Sequence, residues 1–313
     1  MDELKDDLFD EHNIKKAIKK GKRKTIITVV FVSVIVFVVL NAVNFAAYSY
    51  YSQKAYKQWD AYVRLSTPNG YISETVDTRG ILGGETQFKV SKNMKTKSLV
   101  LEQKQYKFGL LPSLSYSRIS GNSIGVTGED WQVTYKENGW RDLLFFHPTV
   151  SYKKYKHDED LINQMQGDQI YEVALSFDKP YKQSDLPLYE LPAMTWFWIN
   201  TYSYRQMKIF QEEAEKNVWS STFIRENEAL GFSVNSPIYS TIKFDSEYED
   251  FLNLLQSSYY DEHQNAFEIM KDIKADDVEI LGIVVYGTKE EVIEIIQNPI
   301  IQSVSLGGVI NNY

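Results

Sequence analysis

An uncharged apolar run from Thr25 to about Ala47 constrains this chain more than any other feature. It follows directly on Lys15, Lys16, Lys19, Lys20, Lys22, Arg23 and Lys24. A helix crosses the hydrocarbon core of a bilayer with about 20 apolar residues, and this run supplies them. Lys and Arg resist translocation, and only Lys54 and Lys57 lie close on the far side. The pattern therefore predicts a single-pass protein of the cell membrane, with its N-terminus cytoplasmic and everything after about Tyr48 extracytoplasmic. A cleaved signal peptide has a shorter apolar core, about 7–15 residues, and a small-x-small site after it. Asn41-Ala42-Val43-Asn44-Phe45-Ala46-Ala47 has no clean Ala-x-Ala, so an uncleaved anchor is expected. Asn41 and Asn44 are expected at the outer interface, with Tyr48, Tyr50 and Tyr51 following as an aromatic belt.

The chain of 313 residues has a formal net charge of −8. Its first 24 residues carry eight basic and six acidic side chains, which makes the tail +2 and the remainder −10. An acidic external body argues against nucleic acid and anionic polymers as its partners. With no cysteine, the chain has no disulfide framework, no zinc-thiolate site and no thiol nucleophile. The external region is long enough to be stable on a hydrophobic core alone.

Four segments are expected: a cytoplasmic amphipathic tail over 1–24, a transmembrane helix over 25–47, a β-rich extracytoplasmic domain over 48–150 and an α+β extracytoplasmic domain over 168–313. In the tail, Leu4, Leu8, Ile14 and Ile18 fall within about 120° of one another on a helix, which predicts one amphipathic helix or two broken near Asn13. Helices this short are marginal in water, so the tail is expected to order on a partner. A helix continuing over Gln53–Leu65 should end before the turn Thr67-Pro68-Asn69-Gly70. The first external half reads as antiparallel strands, among them Thr86–Val90, Ser98–Gln103, Ser115–Ile119, Trp131–Tyr135 and Asp142–Phe146, with Asn138-Gly139 as a hairpin signal. Gly80, Gly83 and Gly84 are expected in turns. Tyr152 to Gly167 reads as a polar linker or short helix. In the second half, Gln169–Phe177 is expected as a strand stopped by Asp178-Lys179-Pro180, and Met194–Tyr202 as an aromatic strand. Helices are expected over Gln206–Val218 and within Phe244–Lys274, and the end of the chain as a βαβ unit.

No catalytic constellation stands out. Gly80-Ile81-Leu82-Gly83-Gly84 lacks the Lys-Ser/Thr ending of a phosphate loop. His12, His147, His157 and His263 show no metal-ligand spacing. Glu290, Glu291 and Glu294 read as surface charges on a helix. In Thr195-Trp196-Phe197-Trp198-Ile199 strand alternation puts Trp196 and Trp198 on one face and Phe197 on the other, as core or as an aromatic platform for sugar or lipid. No enzyme activity, cofactor or metal is expected.

The short charged tail, the basic-flanked anchor, the exit Tyr48-Ser49-Tyr50-Tyr51, and the blocks Glu172-Val173-Ala174-Leu175-Ser176-Phe177-Asp178-Lys179-Pro180-Tyr181 and Gly282-Ile283-Val284-Val285-Tyr286-Gly287-Thr288-Lys289-Glu290-Glu291 resemble the sigma-factor regulators of Gram-positive bacteria. These are membrane-anchored anti-sigma factors for extracytoplasmic-function sigma factors. The resemblance covers most of the chain. It implies a cytoplasmic tail that holds a sigma factor inactive and an external region that senses envelope state. Lacking the Cys/His zinc motif of another anti-sigma class, capture would use a helix without metal. Leu4, Leu8, Ile14 and Ile18 would be its apolar anchors in a groove. Asp6, Asp7, Asp10 and Glu11, with Asp2 and Glu3, would face the basic surface of a DNA-binding partner. A second membrane protein could share in holding the sigma factor, and the external ligand is unknown. Release by proteolysis near Ser52–Tyr62 and release by conformational change are both open. The competing reading is a membrane-tethered external module that binds envelope polymer or lipid and has no sigma-factor role.

Overall fold

The structure, a computed structural model, describes residues 11–95, 97–110, 124–127, 131–136, 138–165, 168–191, 193–216, 223–234 and 244–312. It opens with a single helix, α1, over Glu11–Ser66, of 56 residues. At 1.5 Å per residue α1 is about 84 Å long. The apolar run lies wholly within it, with Ile26 to Leu40 exposed at their large side chains, and it is long and apolar enough to cross a membrane. No break occurs at Asn13, and the helix continues through the expected juxtamembrane stretch to Ser66, where Thr67-Pro68 ends it. Gly70 N–H closes the following turn onto the Thr67 carbonyl at 2.8 Å, and Asn69 takes the left-handed conformation, with φ 55°.

The remainder is β-rich and α+β. Strands β1 (Gly70–Arg79), β2 (Gly83–Met94) and β3 (Lys97–Gly109) form a three-stranded meander. The pair β4 (Ile124–Thr127) and β5 (Gln132–Tyr135) is antiparallel. The expected strand over Asp142–Phe146 shrinks to β6 (Leu144–Phe145), which pairs with β9 (Ile224–Arg225). Before it, Asn138-Gly139 does form a tight turn, with Gly139 at φ 81° and Lys136 N–H on the Trp140 carbonyl. The expected strand over Ser115–Ile119 lies outside the described residues.

The main sheet has five strands in the order β10-β8-β11-β7-β12, every neighbouring pair antiparallel. They are β7 (Gln169–Tyr181), β8 (Met194–Ile199), β10 (Gly231–Ser233), β11 (Ile280–Gly287) and β12 (Ile301–Asn311). Among the described residues the further α-helices are α2 (Glu159–Gln164), α3 (Tyr204–Lys216), α4 (Phe244–Ser257), α5 (Asp261–Met270) and α6 (Lys289–Ile296). Because β11 and β12 are both antiparallel to β7, they run parallel to each other with β7 between them. The chain end is thus a split β-α-β, with α6 as the crossover. Thr288 and Glu291 form a capping box at the start of α6.

Two expectations need correction. The strand β7 does not stop at Asp178-Lys179-Pro180. It runs on to Tyr181, which pairs with Ile280. Proline lacks only its own N–H, so a strand passes through it where no partner needs that donor. Of the two readings of Tyr152 to Gly167, the short helix is present as α2, and the solvated linker is the one to correct. Asp158 N–H bonds the Val304 carbonyl, Val304 N–H bonds the Lys156 carbonyl, and Asp158 Oδ2 accepts from Leu306 N–H. This segment covers the outer edge of β12, which would otherwise expose a row of unpaired backbone groups.

The chain divides into two compact units. One comprises Met1–Gln53, Thr78–Glu85 and Lys107–Ser115; the other comprises Lys54–Asp77, Thr86–Tyr106 and Tyr116–Tyr313. In the second, strand alternation splits the core into two layers. Phe197, Val173, Leu175, Ile283 and Val285 face the helices, packing with Phe251, Leu255, Met270 and Ile295. Trp196, Trp198, Ala174 and Val284 face Phe88, Val90 and Met94 of β2 and Val63 of α1. The two tryptophans share a face as alternation requires, and both are fully buried. They are core residues and not an exposed platform.

A register irregularity in β12 between Leu306 and Val309 contains Gly307-Gly308, and a Cβ on Gly308 would collide with the Trp140 ring. Gly308→Ala is expected to destabilise the chain by about 1–3 kcal/mol through overpacking. Denaturant unfolding of the full-length protein in detergent, followed by tryptophan fluorescence, measures this; an unchanged midpoint would contradict the packing described.

Candidate functional site

The outer end of α1 is where the helix enters the body of the second unit. Ala55, Ala61, Val63, Leu65 and Ser66 are buried there, whereas residues 26–40 of the same helix are not. Trp59 lies 5.2 Å from Phe88 and 5.4 Å from Tyr106, and Tyr62 lies 4.7 Å from Tyr260, ring centre to ring centre. Lys104 Nζ sits over both rings, 5.8 Å from Trp59 and 5.4 Å from Tyr62. These aromatic contacts hold the last turns of α1 between β2, β3 and the α4–α5 corner.

A polar latch closes the same junction. His263 of α5 has its Nε2 3.2 Å from the hydroxyl of Ser66, the last residue of α1, and its Nδ1 2.7 Å from that of Ser258. One ring nitrogen donates and the other accepts, so both are satisfied while the imidazole is neutral. Burial pushes His263 down to about 4, against a smaller opposing effect of Glu262. A serine hydroxyl on a histidine nitrogen is also the geometry of an activated nucleophile. Here Ser66, Ser258 and His263 are each at most 2% exposed, so no substrate carbonyl reaches either hydroxyl.

Behind the junction lies a fully buried charge network. Lys92 of β2 places Nζ 2.6 Å from Glu172 Oε1 and 2.6 Å from Glu226 Oε1. Glu172 also accepts from the Tyr286 hydroxyl at 2.9 Å and from Gly308 N–H at 3.2 Å. Glu226 Oε2 accepts from Leu143 N–H at 3.0 Å, and the Trp140 ring lies 5.6 Å from the ammonium. One ammonium faces two carboxylates, so every spare lone pair needs a donor, and these neutral groups supply them. Burial disfavours the charge on Lys92, but Glu172 and Glu226 outweigh it and hold its pKa above the ordinary lysine value. Burial raises Glu172 despite Lys92, which makes it the carboxylate that protonates first. Burial also works against Glu226, yet Lys92, Lys136 and the Leu143 N–H keep it below the usual range. Nearby Asp142 is pushed up to about 6 by burial, with Glu226 adding to the rise.

Of the residues expected to capture a partner, Leu4, Leu8, Asp6, Asp7 and Asp10 lie outside the described residues. Glu11 opens α1, and Ile14 and Ile18 stand one turn apart on it, 42% and 53% exposed. Among the described residues no cluster of three or more His, Asp or Glu could hold a metal ion. The buried network was missed from the sequence, although it left a trace. Lys92 continues the buried positions Phe88 and Val90 of β2, and Glu172 interrupts the apolar run of β7.

Residues 15–99 match the family model described as sigma factor regulator N-terminal, and residues 162–308 the one described as sigma factor regulator C-terminal. Together the two matches span well over half of the chain. Neither a curated protein nor a solved structure matches it.

Lys92→Met strands two buried carboxylates and is expected to cost about 3–5 kcal/mol, much of it regained in the triple variant Lys92→Met/Glu172→Gln/Glu226→Gln. Urea unfolding of the three proteins decides this; equal losses in the single and triple variants would refute it. The latch has its own pH signature. His263 binds a proton near 6.5 when unfolded and only near 4 when folded. Its contribution is therefore whole above about pH 6.5 and is lost as pH falls toward 4. His263→Gln should flatten the decline of the melting temperature over that window relative to the wild-type chain.

Proposed function

The chain belongs to the sigma-factor regulator family, with a sigma factor as the implied partner and an anti-sigma role, and we propose that it works as a single-pass signalling protein of the cell membrane. In this reading the N-terminal tail is cytoplasmic and sequesters an extracytoplasmic-function sigma factor. The region after about Tyr48 is extracytoplasmic and responds to envelope state. The observation that carries the reading is α1 itself. One helix contains a basic start, a bare apolar stretch of membrane-spanning length and an end embedded in the folded body. Lys15 to Lys24 favour the cytoplasmic side. Ile14 and Ile18 supply exposed apolar contacts beside the membrane. Leu4 and Leu8 extend that stripe, and Asp6, Asp7, Asp10 and Glu11 match a basic partner surface. No chemistry is required of the chain, since occluding a DNA-binding surface is enough to silence the partner.

In this reading release follows from loosening of the junction. A signal that frees His263 from Ser66, or that pulls Lys92 from its carboxylates, loosens the last turns of α1. A second membrane protein can share in retention, because a tail of this length offers few anchors. The reading as a tethered binding module draws on one observation, an open cavity of about 430 Å³ lined by Asn69, Asn93, Lys95, Met194, Thr195 and Tyr286. A ligand there would equally serve as the signal of a regulator.

Deleting Asp2–Glu11 should raise transcription from promoters of the captured sigma factor to the level seen without the regulator. A tethered module would leave transcription unchanged. Leu4→Ala/Leu8→Ala should weaken capture of the sigma factor in pull-down by about tenfold or more, given roughly 1.5–3 kcal/mol for each buried leucine. Undiminished capture by that variant would remove both residues from the interface.

A further inference from the structure

Within the first unit, the turn between β1 and β2 is held against the upper part of the apolar run of α1. Asn44 donates its side-chain N–H to the Gly80 carbonyl at 3.1 Å, and its Oδ1 accepts from Leu82 N–H at 2.5 Å. The Arg79 guanidinium donates to the Asn41 carbonyl at 3.3 Å and lies 5.6 Å from the centre of the Phe45 ring. Tyr48 packs on Phe108 of β3 at 5.8 Å. The turn is otherwise closed by Gly80 N–H on the Gly83 carbonyl and Leu110 N–H on the Leu82 carbonyl.

Depth along the helix follows from its rise. Asn44 stands 19 residues beyond Thr25, about 28 Å at 1.5 Å per residue. A hydrocarbon core is about 30 Å thick, so Asn44 falls at its outer boundary and Asn41 a turn below. The turn bonded to these two asparagines shares that depth. Two features suit it to lipid. Its tip carries Ile81 at 75% exposure, with Leu110 beside the turn at 58% and Phe45 of α1 also at 58%. Four of its backbone groups are also satisfied from within: Gly80 N–H and C=O and Leu82 N–H and C=O all have protein partners. A turn in water needs no such provision, whereas one at the edge of the hydrocarbon does, because no water is there to take up its polar groups. The same contacts explain why Asn44 stands in an otherwise apolar run, whereas the Asn41 side chain bonds the Phe37 carbonyl of its own helix.

We infer that the β1–β2 turn, with Ile81 at its tip and Leu110 beside it, is a lipid-contacting element seated in the outer leaflet of the membrane that α1 spans. The inference rests on the reading of α1 as a membrane anchor. It adds a second point of contact with lipid, on the sheet and not on the helix. The outer leaflet thereby gains a direct hold on β1 and β2.

The native chain has no cysteine, so single labels are clean. Full-length protein carrying an environment-sensitive fluorophore at Ile81→Cys, Leu110→Cys or Val34→Cys is reconstituted in phosphatidylcholine–phosphatidylglycerol vesicles. Emission is compared with and without phosphatidylcholine brominated near the headgroup or near the chain ends. All three positions are exposed, so labelling does not disturb the core. Ile81 and Leu110 are expected to lose emission chiefly to the shallow bromines, and Val34 chiefly to the deep ones. Quenching at Val34 with none at Ile81 or Leu110 overturns the inference and leaves the anchor standing. Absence of quenching at all three overturns the anchor and the inference with it.

Discussion

An unbroken ladder of backbone hydrogen bonds over 56 residues of α1 is the constraint on which the rest depends. A stretch that enters hydrocarbon has to be helical throughout, because a backbone group without an internal partner there costs several kcal/mol. Carrying the same ladder on to Ser66 makes the exposed stretch and the buried last turns one element. A turn or a proline between Ala47 and Lys54 would have separated them. There is none, and the residues there, Tyr48-Ser49-Tyr50-Tyr51-Ser52-Gln53, are compatible with a helix once its ends are held.

The helix end is held by two kinds of force. Apolar contact at Val63 and Leu65 is strong but not directional. Direction comes from the polar groups. The Ser66–His263–Ser258 chain defines how the last turn meets α5, and the Lys92 network defines how β2 meets the main sheet. Such buried ionic groups add little net stability against an apolar equivalent, yet they are costly to break singly. The network holds one carboxylate in excess of its ammonium, and burial raises Glu172.

Much of the fold was legible because it depends on neighbouring residues. The alternation Trp196-Phe197-Trp198 led to two faces of a strand, and the structure places those side chains in two separate core layers. Strand β7 was legible to Phe177 but not beyond, because the stop signal at Pro180 holds only where a partner needs that N–H. In the polar segment after Tyr152 a short helix was legible as one of two alternatives, but the cover over β12 was not, for a related reason. Lys156, His157 and Asp158 look solvated in isolation, but an uncovered edge of β12 elsewhere in the chain recruits their backbone. Glu290 and Glu291 were legible as surface charges, although the role of Glu291 in capping α6 emerged only with Thr288 in place.

By itself the sequence determined where the apolar run of α1 lies, that Trp196 and Trp198 share one face of a strand, and the family to which the chain belongs. These follow from residue transfer between water and apolar surroundings and from periodicity, both properties of contiguous segments. Only the tertiary structure decided that Lys92 meets Glu172, 80 residues away, that His263 bridges to Ser66 across 197, and that Asn44 caps a turn 36 residues on. A buried polar group takes whichever partner the packed backbone brings within about 3 Å, and pairing over such separations leaves no local pattern to read.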